Sequence, residues 1–129
     1  MKKLFLLTVI LLSGMTTVMA QKPAEMKFDE PTHNFGTFTG DSAMVSYVFT
    51  FQNVGESPLI INQAMPSCGC TDPEYPKTAI QPGEKGKVKV TYNGIGRGYG
   101  KFRKTVTFRT NGNPENVRIT IEGEMVKEK

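Results

Sequence analysis

The sequence holds two cysteines, and a single glycine separates them: Cys68-Gly69-Cys70. In an extended strand, side chains two positions apart share a face with Cα atoms about 6.6 Å apart, near the upper limit for a disulfide. Gly69 admits a tighter bend, so in an oxidising compartment a bridge can close. So short a loop adds little through chain entropy, and a bridge here mainly pins a bend. Three chemistries fit the pair. The plainest is a local structural disulfide, or two buried thiols beside a turn. The second is thiol–disulfide redox, because a small exposed bridge is readily reduced and the basic residues downstream favour a thiolate. Against it, the redox motif is Cys-x-x-Cys before a helix, and neither feature is present. The third is soft-metal binding by Cys68, Cys70 and Met65, a donor set that suits Cu(I) better than Zn(II). The only histidine, His33, joins such a site only if its strand passes close by. Otherwise ordinary hydrogen bonds satisfy its imidazole.

Acid–base catalysis has little to stand on, and no enzymatic activity or cofactor is expected. Asp29-Glu30 and Asp72 with Glu74 are carboxylate pairs in proline-containing, turn-rich stretches, where carboxylates are solvated. Ser67 has no histidine near it in sequence, and His33 would have to serve any triad alone. The string Gly94-Ile95-Gly96-Arg97-Gly98-Tyr99-Gly100 invites a phosphate-loop reading. Such loops need a helix after them, so that backbone N–H groups and the helix N-terminus meet the phosphate. A strand pattern follows instead, which makes this an interstrand loop with Arg97 and Tyr99 as exposed tips. Asp41-Ser42-Ala43 resembles a short bacterial O-glycosylation acceptor and fits a turn equally well.

The first 20 residues read as an export signal: Lys2 and Lys3 are a positive start, Leu4 to Leu12 an apolar stretch, and Val18-Met19-Ala20 a small-residue cleavage site. The apolar stretch is far shorter than the roughly 20 residues of a membrane-spanning helix. The expected mature chain therefore runs from Gln21 to Lys129 as one soluble domain, periplasmic or extracellular, with no transmembrane segment. No cysteine follows the cleavage site, which argues against a lipid anchor. Residues 21–76 carry two basic and seven acidic side chains, whereas residues 77–109 carry nine basic and one acidic. Lys87, Lys89, Arg103 and Arg109 fall at outward positions of their strands. Together with Arg97 and Tyr99 they are candidates for binding an anionic glycan, a phosphorylated lipid head group or an acidic protein. Nucleic acid is not an expected partner of an exported chain. Charge on strand faces also serves to keep sheets from aggregating.

Alternation with a period of two dominates after Ala20, and no amphipathic helix competes with it. Ala43, Val45, Tyr47, Phe49 and Phe51 share one face of a strand while Ser46, Thr50 and Gln52 take the other. Val88, Val90 and Tyr92 alternate with Lys87, Lys89 and Thr91; Phe102, Val106 and Phe108 oppose Arg103, Thr105, Thr107 and Arg109. Val117, Ile119 and Ile121 end the series, and weaker strands are expected at His33 to Phe38, Leu59 to Ala64 and Thr78 to Ile80. Turn signals at Gly40-Asp41, Gly55 to Pro58, Pro82-Gly83 and Asn111-Gly112 punctuate them. About seven strands without intervening helices predict an all-β, antiparallel Ig-like β-sandwich. The Cys…Trp…Cys arrangement of antibody domains is absent.

The string Ser67-Cys68-Gly69-Cys70-Thr71, then Pro73, Tyr75-Pro76 and Ile80-Gln81-Pro82-Gly83-Glu84, resembles the signature of a bacterial exported family, domain-of-unknown-function family 1573. The resemblance extends from His33-Asn34-Phe35-Gly36 through the Gly94 to Gly100 loop and Lys104-Thr105-Val106 to Ile121-Glu122-Gly123. It implies a small Ig-like sandwich similar to major-sperm-protein-like and cilium-associated modules, and it brings no activity with it. The functional expectation is a non-catalytic binding or interaction module of the cell envelope. The alternative is a thiol-redox or copper-handling protein centred on Cys68 and Cys70.

Overall fold

A computed structural model describes residues 21–40 and 43–127; the expected export signal, Asp41-Ser42 of the acceptor-like tripeptide and the last two residues lie outside them. Eight strands follow in order: β1 (Met26–Phe28), β2 (Thr32–Thr39), β3 (Met44–Asn53), β4 (Ile61–Pro66), β5 (Thr71–Glu74), β6 (Lys85–Asn93), β7 (Gly100–Thr110) and β8 (Asn116–Val126). They form two four-stranded sheets, β1-β3-β6-β5 and β2-β8-β7-β4. The all-β sandwich expected from the periodicity is present, and each long strand keeps the expected inward phase. Phe49, Phe51, Val88 and Val90 from the first sheet meet Val106, Phe108, Ile119 and Ile121 from the second, all buried.

Two packing details explain why these residues pair as they do. Phe51 stands opposite Gly86 in register, and its ring occupies the volume a side chain at 86 would fill. Stacked rings then tie the sheets together: Tyr92 of β6 lies on Phe102 of β7 with centroids 3.9 Å apart, and His33 of β2 lies on Tyr47 of β3 at 3.5 Å. Phe28 contributes edge and tilted contacts to Phe49, Phe51 and Phe108 from the short first strand.

The structure corrects the expected strand list in three places. β1 is too short for a periodicity to register. β5 carries Pro73 and two carboxylates and reads as a turn, yet it is a sheet edge, where a proline's missing N–H removes no ladder bond. Thr78 to Ile80 supplies only an isolated bridge, Leu59 to Ile80. The sandwich is also not wholly antiparallel. β2 pairs parallel to β8, with a bulge between Asn34 and Thr37. A parallel pair needs a long connection between its strands, and here nearly the whole domain serves as that connection.

Candidate functional site

Cys68 and Cys70 are joined as a disulfide, Cα to Cα 5.1 Å, inside the short connection that takes the chain from β4 in one sheet to β5 in the other. The bridge therefore sits on the bend where the chain changes sheets. Hydrogen bonds hold this corner on both flanks. The Ser67 N–H donates to the Thr105 carbonyl at 2.9 Å and the Thr105 N–H donates to Ser67 Oγ at 3.0 Å. The Asn93 N–H donates to the Cys70 carbonyl at 2.7 Å, and the Thr71 N–H donates to the Cys68 carbonyl. Cys70 is 3% exposed, whereas Cys68 is half-buried against the core.

The remaining candidates for a soft-metal set do not gather here. Met65 is exposed, next to Ala64, which packs on the core, so alternation directs Met65 to the outer face. His33 lies on β2, at the opposite edge of that sheet from β4. Its ring is engaged with Tyr47, Phe35 and Phe49. Burial among these rings pushes the His33 imidazole below its ordinary value, and Glu30 partly opposes the shift.

A second feature lies at the end of the sandwich reached by the β6–β7 loop. Asn93 Oδ1 accepts the Ile95 N–H at 3.0 Å, the Arg97 N–H donates to the Gly94 carbonyl at 3.0 Å, and the Gly94 N–H donates to the Ala43 carbonyl. Gly96 and Gly98 adopt φ of 72° and 82°, the left-handed region that glycine enters freely, and so turn the loop out into solvent. Ile95 is 67% exposed and Tyr99 61%; Met44, opposite Asn93 at the base of the loop, is 58% exposed. These are the three most exposed large apolar side chains among the described residues. Gly40, Ala43, Gly94, Ile95, Tyr99 and Met125 are among the residues that line an open depression of about 250 Å³. The phosphate-loop geometry is absent: β7 follows the glycines, as its alternation predicts.

The basic residues are distributed by topology. Lys87 and Lys89 stand on the outer face of the first sheet, with Lys89 opposite Glu74. Arg103 and Arg109 stand on the outer face of the second sheet; Arg103 is opposite Glu122, and Arg109 Nε is 3.0 Å from Glu115 Oε1. Arg97 belongs to the loop end. Thus the positive run from 77 to 109 is divided among two faces and one tip, because β6 and β7 are consecutive in sequence but belong to different sheets. Sequence reasoning missed a groove of about 470 Å³ on the second sheet's outer face, lined by Asn34, Thr37, Lys101, Arg103, Glu122 and Glu124 among others. Its floor follows the bulge in β2, where Asn34 Oδ1 accepts the Gly36 N–H at 2.7 Å. The pair Asn34 and Gly36 is the local signal that could have marked it.

Two four-stranded β-sheets packed in this way define an Ig-like sandwich. The PapD-like domain 7 of human CEP192, an ASH domain, is similar to it over 92% of this chain and 97% of that one, at 13% identity and a TM-score of 0.62. A protein of unknown function from Porphyromonas gingivalis W83 is similar over 85% of this chain, at 16% identity and a TM-score of 0.71, and the chain spans 50% of its length. The VesB protease of Vibrio cholerae shares the fold over 80% of this chain and 31% of its own, at 16% identity and a TM-score of 0.58. No curated protein matches the chain. Residues 26–125 match the family model for a protein of unknown function, DUF1573, and the chain belongs to that family.

Proposed function

We propose that this chain is a non-catalytic interaction module of the cell envelope that engages a protein partner through its loop end. The observation that carries the reading is the exposure of Ile95 and Tyr99 over one depression, with Arg97 in the same loop and exposed Met44 opposite Asn93 at its base. Exposed aromatic and apolar side chains with an arginine are what protein interfaces concentrate, and isolated surface apolar residues are not. The Ig-like fold supports the reading only as a scaffold whose loops are free to vary. Export supports the location: the sequence carries an n-region, an apolar stretch and a cleavage site, and no helix among the described residues is long and apolar enough to cross a membrane.

The test places a photo-crosslinking amino acid at Ile95 and, separately, at Val48 on the outer face of the first sheet, in cells expressing the chain. A discrete crosslinked protein from position 95, abolished by Tyr99→Ser and absent from position 48, is the expected result. Equal crosslinking from both positions removes the loop end from consideration. Fractionation with N-terminal sequencing tests the location, with Gln21 as the expected first residue of the exported form.

A further inference from the structure

The bend at Cys68 and Cys70 is held by hydrogen bonds on both flanks as well as by its bridge. Backbone and hydroxyl hydrogen bonds join Ser67 to Thr105 on one side and Cys70 to Asn93 on the other. A disulfide closed over one intervening residue adds little further constraint to such a corner. We propose that Cys68–Cys70 is a reversible thiol–disulfide exchange site that reacts with a cysteine thiolate through Cys68. The proposal goes beyond the interaction reading, since it concerns a covalent thiol partner; the bridge and the loop share one end of the sandwich, where Asn93 bonds to both Cys70 and Ile95.

The two sulfurs are unequal in ways that assign their roles. Cys70 is 3% exposed and Cys68 half-buried, so an incoming thiolate reaches Cys68 Sγ. Apart from Cys68 and Cys70 themselves, nothing lies within 4 Å of where a side chain at Gly69 would project, so no other segment covers that side of the small ring. The Cys70 N–H donates to Cys68 Sγ at 3.1 Å, placing a donor where negative charge forms on that sulfur. Thr71 Oγ1 is 3.7 Å from Cys70 Sγ, within reach of a sulfur acceptor, and offers a hydroxyl donor to the leaving thiolate.

In the forward step R–S⁻ attacks Cys68 Sγ. The R–S–S–Cys68 bond forms, the Cys68–Cys70 bond breaks, and its electron pair leaves on Cys70 Sγ, which takes a proton from solvent. A second R–S⁻ attacks the R sulfur of the mixed disulfide, releasing R–S–S–R and the Cys68 thiolate. The pair has then gained two electrons and the two thiols have lost them. In reverse, the Cys70 thiolate attacks Cys68 Sγ of the mixed disulfide, expels R–S⁻ and restores the bridge. Cys68 is thus the exchanging sulfur and Cys70 the resolving one. The reaction is stoichiometric and needs no turnover.

The test uses the purified chain and two single variants, Cys70→Ser and Cys68→Ser, each reacted with oxidised glutathione under native conditions and followed by intact mass. Cys70→Ser, which keeps Cys68, is expected to form the mixed disulfide at least about tenfold faster than Cys68→Ser. Reaction at equal rates, or faster at Cys70, overturns the assignment. Independently of any variant, reduced glutathione should open the wild-type bridge while circular dichroism stays unchanged. A bridge that opens only in denaturant, or whose opening unfolds the chain, overturns the proposal. Repeating this arm with an unfolded cysteine-containing peptide identifies the source: faster opening by the peptide marks a protein thiol, and faster opening by glutathione a small one. Crosslinking from Ile95 should persist in both serine variants, so failure of either proposal leaves the other standing.

Discussion

Asn53 offers the sharpest test of how this sandwich is held together. Its side chain is wholly buried and makes four hydrogen bonds that tie three segments. Oδ1 accepts the N–H groups of Glu25 and Gly55, at 3.2 and 3.0 Å; Nδ2 donates to the carbonyls of Ser57 and Ile80, at 2.8 and 2.9 Å. Asn53→Ala removes all four bonds and leaves the Glu25 and Gly55 N–H groups and the Ser57 carbonyl without partners, while the Ile80 carbonyl keeps the Leu59 N–H. At about 1 kcal/mol for each lost bond, the loss is about 4 kcal/mol, falling toward 3 where water enters the gap. For a domain of this size that lowers the thermal midpoint by roughly 20 °C. Asn53→Asp keeps both acceptor bonds but turns a carboxylate oxygen on the Ser57 and Ile80 carbonyls, so it should lose at least as much at neutral pH and recover part on acidification, when one oxygen becomes a donor. Urea unfolding followed by circular dichroism measures both. A loss under about 1 kcal/mol for Asn53→Ala would refute the view that this amide network anchors the end of β3.

Other expectations follow from single contacts. Gly86→Ala pushes a methyl group into the Phe51 ring and should destabilise by roughly 1–3 kcal/mol, whereas the paired change Phe51→Leu with Gly86→Ala should recover part of it in the same urea titration. Cys68→Ser with Cys70→Ser should lower stability by only about 1.5 kcal/mol, from the short loop the bridge closes; a loss beyond about 4 kcal/mol in thermal unfolding would mean the bridge is the main support of the corner. His33 has its imidazole pushed down in the folded state by burial, with Glu30 opposing. The unfolded chain therefore takes up the proton first as pH falls through 6.5, and stability declines with acidification in that window. His33→Phe should flatten that part of the stability–pH profile, and an unchanged slope would sink the assignment.

The strands that alternate cleanly were legible because a period of two is a local property of the side chains, and burial of one face enforces it. Val88, Val90 and Tyr92 point inward for the reason their alternation with Lys87, Lys89 and Thr91 predicts. The interstrand role of the Gly94 to Tyr99 loop was legible too, because the strand pattern after it excludes a helix. β5 was not, since Thr71, Asp72, Pro73 and Glu74 have turn chemistry and become a strand only because β6 offers them a free edge. The role of Asn53 was not legible either: Gly55 and Ser57 are local partners, but Glu25 and Ile80 reach its amide only after folding.

The sequence by itself determined the all-β class, the inward face of each long strand, the nearness of Cys68 to Cys70 and the family signature. Each depends on residues close together along the chain. Tertiary structure decided that β2 runs parallel to β8, that His33 stacks on Tyr47 at the opposite sheet edge from β4, and that Cys70 is buried while Cys68 is half-buried. It also divided the positive run among two faces and a tip. The physical reason is that sheet membership is fixed by pairing between distant segments, and two strands adjacent in sequence can send their outward charges to opposite sides of the same core.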